Sequence, residues 1–474
     1  MNCPVSVRSV SGSLLLLLTL LSAGCASVRP WQNQMMRPVD GAAVLARSPP
    51  DAEDRSMLMI VSLSGGGARA AAFGYGVLDA LHQTRVNWHS RDTRLLDQLD
   101  VISGVSGGSI VAAYYAAFGH DTFPGFEHHF LRQNFQNNLI SFALKPGNLY
   151  DLSSPWFGRS NLLERRLNDL YQGKTFGDLA VRPGQPRLLV SATDLSLGSS
   201  FEFTWRQFSL ICSDLGSVPL SFAVAASSAV PIALSPMTLR NFNDVCPQPV
   251  NLAVTSASTT DYRVRLLRNS HSSYLDAKAR PFIHLVDGGL ADNLGLRSLL
   301  DRSQADGGLR RSVRQASKAQ IQRLVIIAVN AERDPTEQID ASDQVPGMFQ
   351  VVDALLFGAG ARASQETLGL LSDTVQAWRN ELRREAADGE DPFATDAQIH
   401  VINVNLRDVR ELTDRRFLLQ VPTAFSLPPE DVSRLIAAGR STLLSSPEFK
   451  AMLTSLEPVS VIKNVDSPIS SNDK

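Results

Sequence analysis

Three short clusters hold the residues of this chain that could carry out chemistry together. Gly104-Val105-Ser106-Gly107-Gly108 sets a serine among glycines, Asp287-Gly288-Gly289 supplies an acid, and Ser64-Gly65-Gly66-Gly67-Ala68-Arg69-Ala70 is a run of small residues broken by one arginine. A serine hydroxyl attacks usefully when a nearby base accepts its proton, and a carboxylate serves as that base when partial burial keeps it basic. Amide groups of a glycine-rich turn that opens a helix point at an anion, which in acyl transfer is the oxyanion of the tetrahedral intermediate. The chemistry implied is acyl hydrolysis, with Ser106 as nucleophile and Asp287 as base. Gly65, Gly66 and Gly67 are the expected oxyanion donors, and Arg69 steadies that loop or meets an anionic headgroup.

Each cluster also has a plainer use. A Gly-x-Ser-x-Gly run arises in ordinary turns, and Asp-Gly is a common turn or helix cap. The elements around the clusters decide between these uses. Aliphatic runs predict strands over Met57–Leu63, Leu99–Ser103, Arg187–Thr193, Phe282–Val286, Leu324–Asn330 and His400–Asn405, several apolar on successive residues as buried central strands are. Helical patterns are expected over Ala68–His82, Gly107–Phe118, Val218–Ala229, Asp292–Asp301 and Pro428–Leu444. Alternation of this kind predicts an α/β fold, a mostly parallel sheet with helices on both faces. Ser106 then sits on a sharp strand-to-helix turn that exposes its oxygen, and Asp287 at a strand's carboxyl end.

Two other assignments compete. Gly65-x-Gly67-x-x-Ala70 satisfies a relaxed dinucleotide fingerprint, but the acid expected about twenty positions later falls in Asn87-Trp88-His89-Ser90-Arg91-Asp92, read as a polar loop. His400 follows Asp287 in the order of a Ser-acid-His triad, yet it begins a predicted strand, where a structural or surface role is expected.

Taken in order, the glycine-rich loop, the Gly-x-Ser-x-Gly elbow and the later Asp-Gly-Gly resemble the patatin-like phospholipases. Leu170-Tyr171-Gln172-Gly173-Lys174-Thr175-Phe176-Gly177-Asp178-Leu179, Ser191-Ala192-Thr193-Asp194-Leu195 and Ala226-Ser227-Ser228-Ala229-Val230-Pro231 look like recurring segments of bacterial members. The resemblance covers about residues 57 to 330. It implies a patatin-like three-layer sandwich, a Ser-Asp dyad without histidine, metal, nucleotide or other cofactor, and lipid carboxylic esters as substrates, phospholipid or lysophospholipid foremost. Departures are Ala70, where the family usually has glycine, and Gly295, near where many members carry proline.

The amino terminus reads as a processing signal. Arg8 precedes the apolar run Leu14–Leu21, too short to span a bilayer, and Leu21-Ser22-Ala23-Gly24-Cys25 resembles the lipobox of bacterial lipoproteins. Cys25 is then the expected lipidated first residue of the mature chain, although Ser22 stands where a large aliphatic residue is usual, and ordinary cleavage near Ala26 or Ser27 is the other reading. By the same resemblance, the lack of Asp at position 26 leans toward an anchor in the outer membrane. The expected organisation is a leader over 1–24, a flexible tether over 25–56, an acyl-hydrolase core over 57–330 with a helical insertion near 118–180, and an α/β extension over 331–474 packed on the core.

Composition sets the outer bounds. With 474 residues, 44% hydrophobic and 19% charged, the chain can bury a large core, and its net charge of −2 offers no surplus for nucleic acid. Of four cysteines, Cys212 and Cys246 remain either as a disulfide pair or as buried thiols. Aromatics between Phe118 and Phe157 either pack the local helices or wall an acyl groove, and Arg310, Arg311, Arg314 and Lys318 form either a solvated helix face or a headgroup contact. The alternatives to an acyl hydrolase are a lipid-binding lipoprotein without turnover and a nucleotide-binding α/β protein. A fluorophosphonate separates them: covalent labelling at Ser106 is expected, and a pure binder would stay unlabelled.

Overall fold

The structure, a computed structural model, describes residues 31–37, 56–181, 184–246, 261–314, 320–333, 340, 342–347, 350–351, 354, 359–384 and 391–456. The leader, Cys25, most of the tether and Lys318 lie outside the described residues. The strands are β1 (Gln34–Met35), β2 (Met57–Leu63), β3 (Arg85–Trp88), β4 (Arg91–Arg94), β5 (Leu99–Val105), β6 (Arg187–Asp194), β7 (Ser200–Glu202), β8 (Ser213–Asp214), β9 (Met237–Arg240), β10 (Phe282–Val286), β11 (Ile321–Asn330) and β12 (Phe393–Asn405). Numbering only the helices used below, α1 is Gly67–Gln83, α2 Gly107–Phe118, α3 Leu220–Ser227, α4 Gly289–Asp292, α5 Arg297–Asp306, α6 Ala359–Leu382 and α7 Pro429–Ser445.

One eight-stranded sheet runs in the order β12-β11-β2-β5-β6-β10-β9, with β7 paired to β6. β12, β11, β2, β5 and β6 are parallel, while β10 runs antiparallel to both β6 and β9. Both faces are covered, which explains the unbroken apolar runs. Along β2, Met57, Met59, Val61 and Leu63 enter one core, with α1, α2, α3 and α7, and Leu58 and Ile60 enter another, with α5 and α6. This is the α/β architecture expected, with the carboxyl ends of the parallel strands collected along one edge of the sheet.

The extension beyond residue 330 belongs to the same body. β12 closes the sheet beside β11, and α7 lies so close to α1 that a Cβ on Gly76 would stand 2.1 Å from Ile436 O and one on Gly439 2.2 Å from Phe73 O. That contact fixes α1, which the glycine loop opens. Among the described residues no helix is long and apolar enough to cross a membrane.

Three expectations need correction, and one that was left open is decided. Residues 31–37, read as tether, dock on the body: β1 pairs with β8, and Met36 is buried. Positions 87–92, read as a loop, form most of the β3–β4 hairpin, held by an Arg85–Asp92 ion pair and by the Trp88 indole donating to Ser56 Oγ. The helix expected over Asp292–Asp301 is two helices, broken where Gly295 adopts φ +64°, a value closed to proline. Cys212 and Cys246 form a disulfide that ties the segment before β8 to the loop after β9.

The helix contact makes a direct prediction. Gly76→Ala and Gly439→Ala each overpack α1 against α7 and are expected to cost about 1–3 kcal/mol, read as a lower urea midpoint; an unchanged midpoint in both would contradict so close a packing.

Candidate active site

Ser106 follows directly from β5 and takes φ +49° and ψ −121°, a backbone conformation that costs free energy and needs its surroundings to hold it. Two serines do so. Ser106 N donates to Ser227 Oγ at 2.8 Å, and Ser109 donates to Ser106 O through its backbone N at 2.9 Å and its hydroxyl at 2.6 Å. Ser227 Oγ donates in turn to Ser191 O at 2.6 Å, and Ser227 O accepts from Gly288 N at 3.1 Å. One residue at the end of α3 therefore braces the serine turn, β6 and the Asp287 turn together.

Asp287 arrives from the other side of β6. Val105 pairs with Ser191 on one flank and Val286 with Thr193 on the other, so both turns begin over the same stretch of that strand. Ser106 Oγ donates to Asp287 Oδ2 at 2.8 Å across 181 positions of sequence, and Gly289 N donates to Oδ1 at 2.8 Å. Asp287 N donates to Ala229 O, and the Thr193 hydroxyl donates to Asp287 O at 2.8 Å. Burial raises the Asp287 carboxyl to about 6, against the opposing pull of the Gly289 and Ser106 hydrogen bonds. Such a pair can pass a proton from hydroxyl to carboxylate near neutral pH.

The glycine loop lies on the far side of Ser106, but its three amides are not equivalent. Gly65 N, expected as an oxyanion donor, is already committed to Asn293 O at 3.1 Å. Gly65 matters instead for space: a Cβ there would lie 2.5 Å from Asn293 Oδ1 and 3.4 Å from Ser106 Cβ. Gly66 and Gly67 hold φ of +139° and +60°, and among the described residues their amides have no hydrogen-bond acceptor. These two are the donors left for an anion. Arg69 is buried and acts as the loop's support, Nε donating to Ala331 O at 2.8 Å and Nη1 to Val421 O at 2.6 Å. Burial first, and Arg333 second, lower its pKa to about 9. Ala68 N donates to Ala424 O at 2.7 Å, so Val421–Ala424 backs the loop from the carboxyl-terminal part of the chain.

These groups face a cleft that opens to solvent, lined by Gly65, Gly66, Ser106, Asp287, Val230, Pro231, Leu290, Asn293, Glu332, Arg333 and Thr423 among others. Ser227, Asn293, Glu332, Arg333 and Thr423 were not singled out from sequence as site residues, although Ser227 and Asn293 lie in segments that were. His400 is not part of the site. It lies on β12, three strands from β5, opposite Val325 and thus toward the amino end of β2, with Ser455 Oγ 3.2 Å from its Nε2. Burial, then Arg323 and Arg379, lowers its pKa to about 4. The aromatic insertion is largely core, with Phe126, Phe130 and Phe135 buried and no member lining the cleft. Arg310 is spent on Asp391 and on Glu381 O. Among the described residues no group of three or more His, Cys, Asp or Glu could hold a metal ion.

Comparison with known proteins follows the same lines. Residues 61–300 match the family described as patatin-like phospholipase. Similar solved structures include human GIVD cytosolic phospholipase A2, 13% identical, with 91% of this chain and 68% of that one covered at a TM-score of 0.47. Its complex with methyl gamma-linolenyl fluorophosphonate is 14% identical, covering 89% and 64% at 0.42. The chain thus spans about two thirds of the length of those structures. No curated protein matches.

The brace at Ser227 yields a prediction of its own. Ser227→Ala removes one donor and one acceptor beneath the serine turn without touching the cleft, so kcat is expected to fall about tenfold, the worth of roughly one hydrogen bond, with KM held within twofold. An unchanged kcat, or a loss carried by KM, would contradict a positioning role.

Proposed function

From the premise that this chain belongs to the patatin-like phospholipases, a family of lipid ester hydrolases, we propose that it cleaves carboxylic esters of phospholipids or lysophospholipids through Ser106 and Asp287. The observation that carries this reading is the 2.8 Å hydrogen bond from Ser106 Oγ to a buried carboxylate held basic by its surroundings. Asp287 takes the Ser106 proton as Oγ attacks the ester carbonyl, and the negative charge passes to the carbonyl oxygen facing the Gly66 and Gly67 amides. Collapse of that intermediate breaks the ester C–O bond, and Asp287 returns its proton to the departing alcohol. A water molecule then attacks the acyl-serine, giving its proton to Asp287, and the second intermediate releases fatty acid and restores the hydroxyl. Every step uses side chains and backbone of this chain.

Cys25 is the proposed point of lipid attachment, and the cell envelope, with the outer membrane foremost, the proposed location. What supports this is the leader and lipobox-like sequence over residues 8–25. Several acyl chains on one cysteine give a stable anchor, where one chain is marginal.

The raised Asp287 pKa fixes the sign of the pH dependence. The base form exists above about 6, so kcat/KM on a soluble short-chain ester is expected to climb as pH rises through about 6 and then level off. Asp287→Asn should lower kcat by about 10²–10⁴-fold, and Ser106→Ala should abolish turnover. A rate flat between pH 4.5 and 8, or near-normal turnover in either variant, would rule out the dyad.

A further inference from the structure

Residues 31–37 are placed on the body by polar and apolar contacts that are specific to one corner of the sheet. Asn33 is buried and its amide spans the backbone of Arg240, Nδ2 donating to Arg240 O at 2.8 Å and Oδ1 accepting from Arg240 N at 3.1 Å. A side chain thereby satisfies the last residue of β9, which is the edge strand of the sheet. Met36 N donates to Cys212 O at 3.0 Å, next to the disulfide, and the Trp31 ring lies against Phe282 with centroids 5.3 Å apart.

The register locates that corner relative to the cleft. Arg240 pairs with Phe282 at the start of β10, and β10 runs from there to Asp287. Leu285 pairs with Asp194 at the carboxyl end of β6, so Phe282 lies beyond that end. Five residues of strand, about 17 Å, separate Phe282 from the level of Asp287 in the direction of the carboxyl edge, the edge on which the cleft opens. Trp31, the first described residue of the segment, therefore lies on the same side as the cleft mouth. Exposed apolar side chains occupy this side: Leu195 and Leu197 after β6, Phe282 itself, and Ile232 and Leu290 at or beside the mouth.

We propose that the docked segment 31–37 is an orienting strap, and that the bilayer is the surface that Trp31, Phe282, Leu195, Leu197, Ile232 and Leu290 meet. The inference rests on the proposed anchor at Cys25. Six residue steps join Cys25 to Trp31, a covalent reach of roughly 20 Å at most, so a lipid held at Cys25 keeps this corner within that distance of the membrane. A tether that ran free from Cys25 to Met57 would reach roughly five times as far and impose no orientation. With the strap docked, the cleft faces its substrate before any encounter.

The test uses the lipidated full chain in a Ser106→Ala background, so that the vesicles stay intact, on phosphatidylcholine vesicles with brominated acyl chains. A single thiol-reactive fluorophore goes on Leu197→Cys, on the proposed lipid side, or on Arg91→Cys in the β3–β4 hairpin, which follows the far end of α1. Quenching at position 197 is expected to exceed that at 91 at least threefold. Asn33→Ala with Met36→Asp, which undocks the strap, should bring the ratio near one. Inserting twenty Gly and Ser residues between Val28 and Arg29 should do the same with residues 31–37 unaltered. Equal quenching with the strap intact overturns the inference, as does a ratio that the insertion leaves unchanged. The mass of the mature amino terminus is read alongside: an unmodified Cys25 overturns the anchor and this inference together, whereas a lipidated Cys25 with equal quenching overturns this inference alone.

Discussion

The hydrogen bond between Ser106 and Asp287 depends on two strands that do not pair with each other. β5 and β10 flank β6, one parallel to it and one antiparallel, and only the register on each flank brings the turn after Val105 and the turn after Val286 to the same level. Because side chains alternate along a strand, a slip of one residue in either pairing would send a hydroxyl or a carboxylate to the wrong face. β6 is thus the ruler of the proposed dyad. α3 holds the two turns in place through Ser227 beneath them, and β6 itself steadies Asp287 through Thr193.

The same constraint explains why the site costs stability to maintain. A positive φ at Ser106, a carboxylate raised to about 6 by burial and a guanidinium lowered to about 9 all oppose folding, and each is tolerated because neighbouring segments leave no easier arrangement. Arg69 illustrates the division of labour: it lines the cleft, yet two of its nitrogens are used on carbonyls, from the end of β11 and from the segment after β12. The carboxyl-terminal third, whose part could not be foreseen, is what backs the glycine loop, through Val421, Ala424 and the contact of α7 with α1.

How much of this was legible follows from the range of the interactions involved. β2 and β10 lie where their aliphatic runs between turn residues put them, and α2 begins at Gly107 as the elbow requires, because burial on both faces and glycine turns are local signals. Ser106 and Asp287 stood out for the same reason. Residues 31–37 did not, since a short polar segment shows no periodicity and Asn33 finds its partner 207 positions away. Ser227 carries no signal of its own in the sequence, because its value lies in joining three stretches that meet only in the fold. The commitment of the Gly65 amide to Asn293 O was equally hidden, and it narrows three expected donors to two.

In the proposed reaction the Ser106 oxygen carries the acyl group between the two half-reactions. Rapid mixing of enzyme with a phospholipid, acid quenching within one turnover and mass analysis of the peptide containing position 106 examine that directly. A mass increase equal to one acyl group is expected on Ser106, formed with the first equivalent of lysophospholipid and far slower in Asp287→Asn. Stoichiometric product with an unmodified Ser106, or an acyl group on another residue, would contradict it.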